Sequence, residues 1–228
     1  MSDASRPNVL YIFTDQQWAG AMSCAGNRDL RTPIMDRLAA EGVRFPNAYC
    51  SFPMCVPARA SMITGRPPHA LGMNGALVPD CTVDISEADL ASSLGRLMSD
   101  AGYRCGWGGK WHTGLRGGGC WLPPREKLDH GFDHVAGFDD NALPDACARF
   151  LHAEDDRPFF LVASFDNPHN IGEFSRDFPL PWLDRPTASP QDFPNLPANF
   201  PPAPFEPEAI TALRHNPAPL ARNTVARD

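Results

Sequence analysis

Cys55 and Arg59 are spaced so that both side chains could serve one anion-binding site. Pro57 lies between them, and proline is favoured in the first turn of a helix. Cys55 would then lie beside the unpaired N–H groups of a helix N-terminus, where an anion is stabilised. Because Arg59 follows by about one helical turn, a nucleophile, free amides and a guanidinium would surround one oxyanion pocket. The alternative interpretation is a buried structural cysteine with a surface arginine.

Three further polar groups follow predicted strands or extended segments. Asp15 and Gln16 end an apolar run, and a carboxylate beside an amide oxygen suits a hard divalent cation, with a helix cap or turn as the alternative. Lys110 and His112 are two residues apart, so in extended structure their side chains share a face. His169 lies just beyond a second apolar run. Since ligands gather beyond the carboxyl ends of parallel strands, these residues are candidates for one site.

The elements that position these residues follow from the hydrophobic pattern. Two apolar runs, 8–14 and 158–165, are typical of strands buried on both faces, and the first is expected to be a central strand. Strands alternating with helices predict an α/β domain with a mainly parallel sheet. Helices are predicted at 32–42, from just after Cys55 to near Gly65, at 89–100 and at 141–152, with a short strand at 43–48 and extended structure at 103–107.

Composition excludes several classes of protein. The chain has 228 residues, a net charge of −7 and 43% hydrophobic residues, so a sizeable core is feasible and a nucleic-acid partner is not expected. No apolar run approaches the length of a membrane span or of a secretory signal, which predicts a cytoplasmic protein without membrane contact. The seven cysteines include no zinc-type spacing, and a redox couple of Cys50 and Cys55 is a minor alternative.

Proline marks a change in organisation near residue 178. Of the 25 prolines, 12 lie between Pro179 and Pro219, and such a stretch is not expected to form regular helix or a central strand. The predicted domains are therefore a catalytic part over residues 1–178 and a proline-rich extended arm or linker over 179–228.

Four blocks of sequence together carry a family resemblance. The blocks are Arg6 to Asp15, the Cys55-x-Pro57-x-Arg59 motif running on to Thr64-Gly65-Arg66, Gly102-Tyr103 through Gly109-Lys-Trp-His112, and Pro158-Phe-Phe160 leading to Pro168-His169. With these blocks, the chain resembles the formylglycine-dependent (type I) sulfatases of the alkaline-phosphatase-like superfamily over about residues 6–210. The resemblance implies a three-layer α/β/α fold with a mainly parallel central sheet, truncated after its N-terminal portion.

The resemblance implies roles for five catalytic residues. Cys55 would be oxidised to formylglycine, whose hydrate offers one hydroxyl to attack sulfur and another whose deprotonation expels sulfate. Arg59 would stabilise the formylglycine and the sulfate charge. Lys110 and His112 would bind sulfate and assist the aldehyde hydrate. His169 would donate a proton to the leaving alcohol.

The resemblance also implies a divalent cation, calcium first, with Mg²⁺ or Mn²⁺ as alternatives. Its ligands would be Asp15, Gln16 and the modified Cys55. Many members carry Asp where this chain has Gln16, and the family adds a later Asp-Asn or Asp-His pair and a further Lys. After His169 the chain has no such pair, and it has no lysine after Lys127. The chain therefore looks like the N-terminal half of a sulfatase domain with an incomplete calcium shell.

The leading interpretation is thus a sulfuric-ester hydrolase acting on a small sulfate monoester. Two alternatives stay open: a phosphonate or phosphate ester hydrolase of the same superfamily, and an inactive remnant or anion-binding module. The expected partners are a formylglycine-generating maturation enzyme and, because truncation of the sheet would expose a strand edge, either a second copy or another protein covering that edge.

Overall fold

The computed structural model describes residues 6–73, 86–113, 130–174, 195 and 201–215. Predictions for residues 1–5, 74–85, 114–129, 175–194, 196–200 and 216–228, which include most of the proline-rich segment, lie outside the described residues. Two short 3₁₀ turns, Ser23–Ala25 and Pro68–Leu71, accompany the regular elements. These elements are β1 Val9–Asp15, α1 Pro33–Glu41, α2 Cys55–Thr64, α3 Glu87–Ala91, α4 Leu94–Asp100, β2 Arg104–Gly109, β3 Asp133–Ala136, α5 Leu143–Leu151, β4 Phe159–Pro168, α6 Ile171–Phe174 and α7 Glu208–His215.

The strands form a parallel four-stranded sheet in the order β1-β4-β2-β3. This confirms the predicted α/β class and the mainly parallel sheet. Strand β4 is central, with Phe160 paired to Val9 on one side and to Cys105 on the other. Because all pairings are parallel, the carboxyl ends of β1, β4 and β2 lie at one edge of the sheet, where the sequence predicted the site.

Alternating residues of β4 face two different helical layers. Phe160 and Val162 belong to a core cluster joined by side chains of α2, α3 and α4, whereas Leu161 and Ala163 belong to a second cluster with α5. Successive strand residues point to opposite faces of a sheet. The sheet therefore lies between two helical layers, as a three-layer α/β/α fold requires.

The position of β1 differs from the prediction. Within the described residues β1 pairs only with β4 and is an edge strand, not a central one. Its alternate side chains Leu10 and Ile12 are 46% and 54% exposed. The apolar run has the composition of a doubly buried strand, but burial needs a neighbouring strand and a covering helix, and the described part of the chain supplies neither on this side.

Two other local predictions are wrong. Residues 43–48 form no strand, since no described strand pairs with them. The helix expected over 89–100 is divided between α3 and α4, because Ser93 adopts an extended conformation (φ −68°, ψ 151°) and begins a second helix. Strand β3 was not predicted; it pairs with β2 over only a few residues.

The proline-rich segment also contains a helix, contrary to expectation. Helix α7 begins directly after Pro207, whose carbonyl oxygen accepts hydrogen bonds from the N–H groups of Ile210 and Thr211. The eight residues of α7 contain no proline, and proline just before a helix start is compatible with helix formation. The division of the chain at residue 178 stays a prediction.

The chain separates into two compact units. The first comprises 1–18, 44–172 and 180–184, and the second comprises 19–43, 173–179 and 185–228. In the second unit, Asp36 of α1 accepts hydrogen bonds from the Ser23 hydroxyl (2.7 Å to Oδ2) and from the Cys24 N–H (2.8 Å to Oδ1). These bonds fix the turn that precedes α1.

Across the described ranges, no helix combines the length and the apolar character needed to cross a bilayer.

Candidate active site

The carboxylate of Asp15, at the end of β1, is the centre of a buried cluster. Its Oδ2 atom lies 2.6 Å from Lys110 Nζ and 3.1 Å from Arg59 Nη1, and the Cys55 thiol donates to Oδ1 at 3.7 Å. Asp15, Arg59 and Lys110 are all buried. The structure therefore brings together four of the residues predicted from sequence, which come from three separate segments of the chain.

Helix α2 supplies Cys55 and Arg59. The helix begins at Cys55 itself, so Pro57 is the third helical residue and not the first, and Cys55 still lies in the first turn. Arg59 reaches Asp15 and donates from Nη2 to Ser164 Oγ at 3.4 Å. Cys55 and Arg59 both contact the Asp15 carboxylate. That they share an oxyanion pocket stays a prediction.

Lys110 lies directly after the last residue of β2. Gly109 has φ +85°, and a Cβ atom there would collide with the carbonyl oxygen of Ser164. The Lys110 N–H donates to that same carbonyl at 2.9 Å, and Trp107 Nε1 donates to the Lys110 carbonyl at 3.3 Å. These contacts fix the backbone where the Lys110 side chain turns towards Asp15.

His112 does not share a strand with Lys110, contrary to the sequence interpretation. Strand β2 ends at Gly109, and His112 has φ 39°, a left-handed conformation. Trp111, between them, points into the core and is fully buried, with its ring centroid 4.8 Å from that of Trp107.

The end of β4 contributes His169 and Asp166. The His169 N–H donates to the carbonyl oxygens of Asp15 (3.2 Å) and Asp166 (2.9 Å), and its Nδ1 lies 3.5 Å from Asp166 Oδ1. The His169 side chain is 38% exposed, so its ring can reach a bound molecule. Asp166 Oδ1 also lies 2.7 Å from Lys110 Nζ. Lys110 is therefore held between two carboxylates.

Charge and burial set the protonation states of the cluster. Burial acts to raise the pKa of both Asp15 and Asp166. For Asp15, the hydrogen bond to Lys110 and the charge of Arg59 outweigh burial and lower the pKa. For Asp166, hydrogen bonds to His169 and Lys110 have the same effect. Burial raises the pKa of the Cys55 thiol. At neutral pH the two carboxylates are ionised and the thiol is protonated.

His112 is neutral at pH 7. Burial, followed by the positive charges of Lys110 and Arg59, lowers the pKa of its imidazole to about 4. A neutral imidazole can accept a proton or a hydrogen bond, which suits a group that assists a hydroxyl nucleophile.

The residues predicted to bind a cation do not form a complete cation site. The described residues include no group of three His, Cys, Asp or Glu side chains arranged to hold a metal ion. Asp15 is engaged by Lys110 and Arg59, and with Gln16 and Cys55 it offers fewer than the six or more oxygens that Ca²⁺ takes. The donor set therefore does not fit calcium unaided, and the metal assignment stays a prediction.

A cavity of about 860 Å³ opens above Cys55. Its walls are largely aromatic and apolar, and Asp15, Arg59 and His169 also line it. A small ester could therefore reach the cysteine and the charged cluster. The aromatic and apolar lining includes Tyr11, Phe13, Trp18, Tyr49, Met54 and Met62.

Sequence reasoning missed two members of the cluster, Asp166 and Ser164. Both lie in the second half of β4, which ends at Pro168, directly before His169. The rule that ligands gather beyond strand ends would have found Asp166. Nothing in the sequence distinguishes Ser164 from any other buried strand residue.

The parallel sheet and the polar cluster at its carboxyl end define an alkaline-phosphatase-like hydrolase fold. A putative sulfatase from Bacteroides thetaiotaomicron VPI-5482 superposes with a TM-score of 0.61 and 28% identity, covering 85% of this chain and 42% of that chain. The phosphonate monoester hydrolase of Agrobacterium radiobacter superposes with a TM-score of 0.50 and 21% identity, over 72% of this chain and 41% of that one. The second likeness concerns the fold alone.

The chain belongs to the sulfatase family, because the sulfatase family model matches residues 7–202. Human arylsulfatase A is 36% identical over 124 residues, which are 54% of this chain and 24% of that protein. The chain thus spans only about a quarter of this relative's length. Sulfatases are hydrolases that generally use a metal cation and formylglycine.

Proposed function

We propose that this chain supplies the nucleophile and the anion-binding cations of a sulfatase that hydrolyses a small sulfate monoester. The proposal rests on one observation: the Cys55 thiol and the ends of Arg59 and Lys110 converge on the Asp15 carboxylate. Membership of the sulfatase family supports the choice of a sulfate ester.

Cys55 is suited to be the modified residue. It is a free cysteine in the first turn of α2, and it lines the cavity. Converted to formylglycine, it would supply a hydrated aldehyde as the nucleophile. The maturation enzyme that makes this change is a partner of the proposal.

Arg59 and Lys110 would bind the sulfate group. The cluster carries two cations, Arg59 and Lys110, and two carboxylates, Asp15 and Asp166, so its formal charge is balanced before substrate arrives. An anionic ester at the Cys55 position would draw the guanidinium and the ammonium partly away from the carboxylates. In that position the two cations would stabilise charge that develops on the sulfate oxygens.

The two histidines would handle protons. Neutral His112 can accept a hydrogen bond from the attacking hydroxyl, as its lowered pKa allows. His169 lies at the cavity wall with Nδ1 near Asp166, which orients the ring. As the bond between sulfur and the alcohol oxygen breaks, His169 would donate a proton to that oxygen.

A divalent cation, calcium ahead of Mg²⁺ and Mn²⁺, would require oxygen ligands beyond Asp15, Gln16 and Cys55. No step of the proposal depends on it.

Intact and peptide mass spectrometry test the first step. After expression in a host with the maturation machinery, the Cys55 peptide is expected to lose the mass of two hydrogens and of one sulfur-for-oxygen exchange. Cys55→Ala and Arg59→Ala are each expected to remove measurable hydrolysis of an aryl sulfate. Cys24→Ala, which removes a free cysteine outside the cavity, is the matched control and is expected to retain activity. A Cys55 that stays unmodified in this host would favour a non-catalytic remnant.

Parallel assays decide between sulfur and phosphorus as the target. A sulfate ester and a phosphonate ester with the same alcohol are compared at equal concentration. We expect the higher kcat/KM for the sulfate ester. A strong preference for the phosphonate would overturn the sulfatase assignment.

A further inference from the structure

Two adjacent aspartates in the loop between β3 and α5 have different partners. Asp139 makes bonds within its own turn: its Oδ1 accepts from the N–H groups of Asn141 (2.9 Å) and Ala142 (3.3 Å), and its carbonyl oxygen accepts from the Leu143 N–H (3.0 Å). These bonds close the turn that leads into α5, whose N-cap is Ala142. The sequence pattern would assign the same role to both aspartates.

Asp140 instead binds the end of β4. Its Oδ1 accepts from the N–H of Asp166 at 2.9 Å, and its Oδ2 accepts from the N–H of Asn167 at 2.7 Å. Both oxygens of one carboxylate thus hold two consecutive backbone amides. These amides immediately precede Pro168 and His169, so the contact fixes the segment that carries both Asp166 and His169 into the cluster.

The same loop also approaches Lys110. The Lys110 ammonium nitrogen lies 5.8 Å from the centroid of the Phe138 ring, within the range of a cation–π contact. On its other sides the ammonium meets Asp166 and Asp15. Residues Phe138 and Asp140 therefore act on Lys110 from one loop, the first by direct contact and the second through the backbone of β4.

We propose that Asp140 is a positioning residue that fixes Lys110 for catalysis by holding the backbone of Asp166 and Asn167. The catalytic role of Asp140 rests on the proposed sulfatase function. Its structural role, which is to hold the end of β4 and thereby Lys110, does not. Asp140 does not line the cavity beside Cys55, so it acts through Asp166. Its carboxylate is the chemical feature that matters, because each of its two oxygens faces one of the two N–H donors.

Asp140→Asn is the informative change. An asparagine keeps one acceptor oxygen but presents an NH₂ group to the other amide, so one of the two backbone bonds is lost and a donor faces a donor. Asp139→Asn is the matched control, because the single side-chain oxygen of an asparagine can accept both of the bonds that Asp139 Oδ1 accepts. The two variants have the same chemistry at neighbouring positions and differ only in which backbone they touch.

Amine labelling measures the position of Lys110 without relying on catalysis. The chain has only two lysines, Lys110 and Lys127, and the Lys110 side chain has no exposed surface. Labelling with sulfo-NHS-acetate, followed by peptide mass spectrometry, gives the rate at Lys110 relative to Lys127. We expect Asp140→Asn to raise this ratio about tenfold, as local opening of the β4 end would, while Asp139→Asn leaves it at the wild-type value.

Kinetics with an aryl sulfate tests the catalytic meaning. For Asp140→Asn we expect kcat to fall about 10- to 100-fold, while KM stays within about twofold of the wild-type value. The reason is that a small displacement of Lys110 slows the chemical step more than it weakens substrate binding. Asp139→Asn is expected to keep both constants. Thermal unfolding of each variant checks that the fold is intact. If Asp140→Asn does not fold, Asp140→Glu takes its place, because glutamate keeps both carboxylate oxygens but displaces them. The expected changes in labelling and in kcat are the same.

The outcomes are distinguishable. Equal Lys110 labelling in wild type and Asp140→Asn overturns the proposal, as does faster labelling with an unchanged kcat. Equal effects of the Asp139 and Asp140 variants also overturn it, because the role would then be general stability of the loop. If the wild type hydrolyses no ester, the proposed function fails, and the labelling ratio alone decides whether Asp140 holds Lys110 in place.

Discussion

The ammonium nitrogen of Lys110 lies 2.7 Å from Asp166 Oδ1, and both side chains are buried. The two residues come from neighbouring strands, since Gly109 of β2 is paired with Ser164 of β4. Each therefore emerges just beyond the same edge of the sheet. A buried ion pair is costly to break, because removing one partner leaves the other without compensation. The contact between Lys110 and Asp166 therefore requires that β2 and β4 pair correctly, and so does the geometry of the candidate active site.

Replacing Asp166 by asparagine should weaken both the fold and the activity. Lys110 would keep Asp15 but lose its second carboxylate, and a hydrogen bond to a charged group contributes about 1.5–3 kcal/mol. We expect the free energy of unfolding in urea to fall by about that amount. The exposed Asp156→Asn is the control and should leave the unfolding midpoint unchanged. Equal midpoints for both variants would contradict a structural role for the pair.

Replacing Gly109 by alanine should disturb the site through the backbone. The residue has φ +85°, and a Cβ atom would meet the Ser164 carbonyl. We expect the free energy of unfolding to fall by about 2–5 kcal/mol, because the strain of a left-handed backbone adds to the overpacking. Gly65→Ala is the matched control: Gly65 also has positive φ (+68°), but nothing lies near its Cβ position, so its cost should be about 1–2 kcal/mol. Urea unfolding of both variants measures the difference, and equal losses would refute the proposed clash.

His112 should make the protein sensitive to acid. Its folded-state pKa of about 4 lies below the ordinary value of 6.5, so between these two values the unfolded chain binds more protons than the folded one. Stability from this residue is therefore complete above pH 6.5 and decreases as the pH falls towards 4. His112→Gln should show a shallower loss of stability over this window, measured by urea unfolding at several pH values. The exposed His152→Gln should keep the wild-type slope, and an unchanged slope in His112→Gln would disprove the assignment.

The outer edge of β1 should promote association. Leu10 and Ile12 are exposed on a strand that pairs on one side only within the described residues. Unprotected apolar edges pair with other chains, and an inserted lysine blocks this. We expect Ile12→Lys to shift the protein towards monomer in concentration-dependent light scattering. Leu97→Lys, which places the same charge at a 55% exposed position on α4, should not. A wild type that stays monomeric at every concentration would contradict the expectation.

Local sequence was sufficient for much of the site. The apolar runs placed Asp15 and His169 at strand ends, and the helical spacing placed Cys55 and Arg59 on one turn of α2. These inferences depend on contacts between residues close in the chain, whose geometry follows from the regular periods of strands and helices. The mainly parallel sheet followed in the same way from the alternation of strands and helices.

Tertiary structure decided which of these residues meet. Lys110 contacts Asp166, 56 residues further along the chain, and Asp140 binds the backbone amides of β4 while Asp139 accepts from amides of its own turn. Adjacent aspartates in a loop have the same local pattern, and only the strand order β1-β4-β2-β3 determines what each can reach. The amino-acid sequence alone determined the close spacing of Cys55 and Arg59 and the strand-end positions, because these are local. The pairing of strands determined the Lys110–Asp166 contact and the open edge of β1, because both depend on neighbours that are remote in sequence.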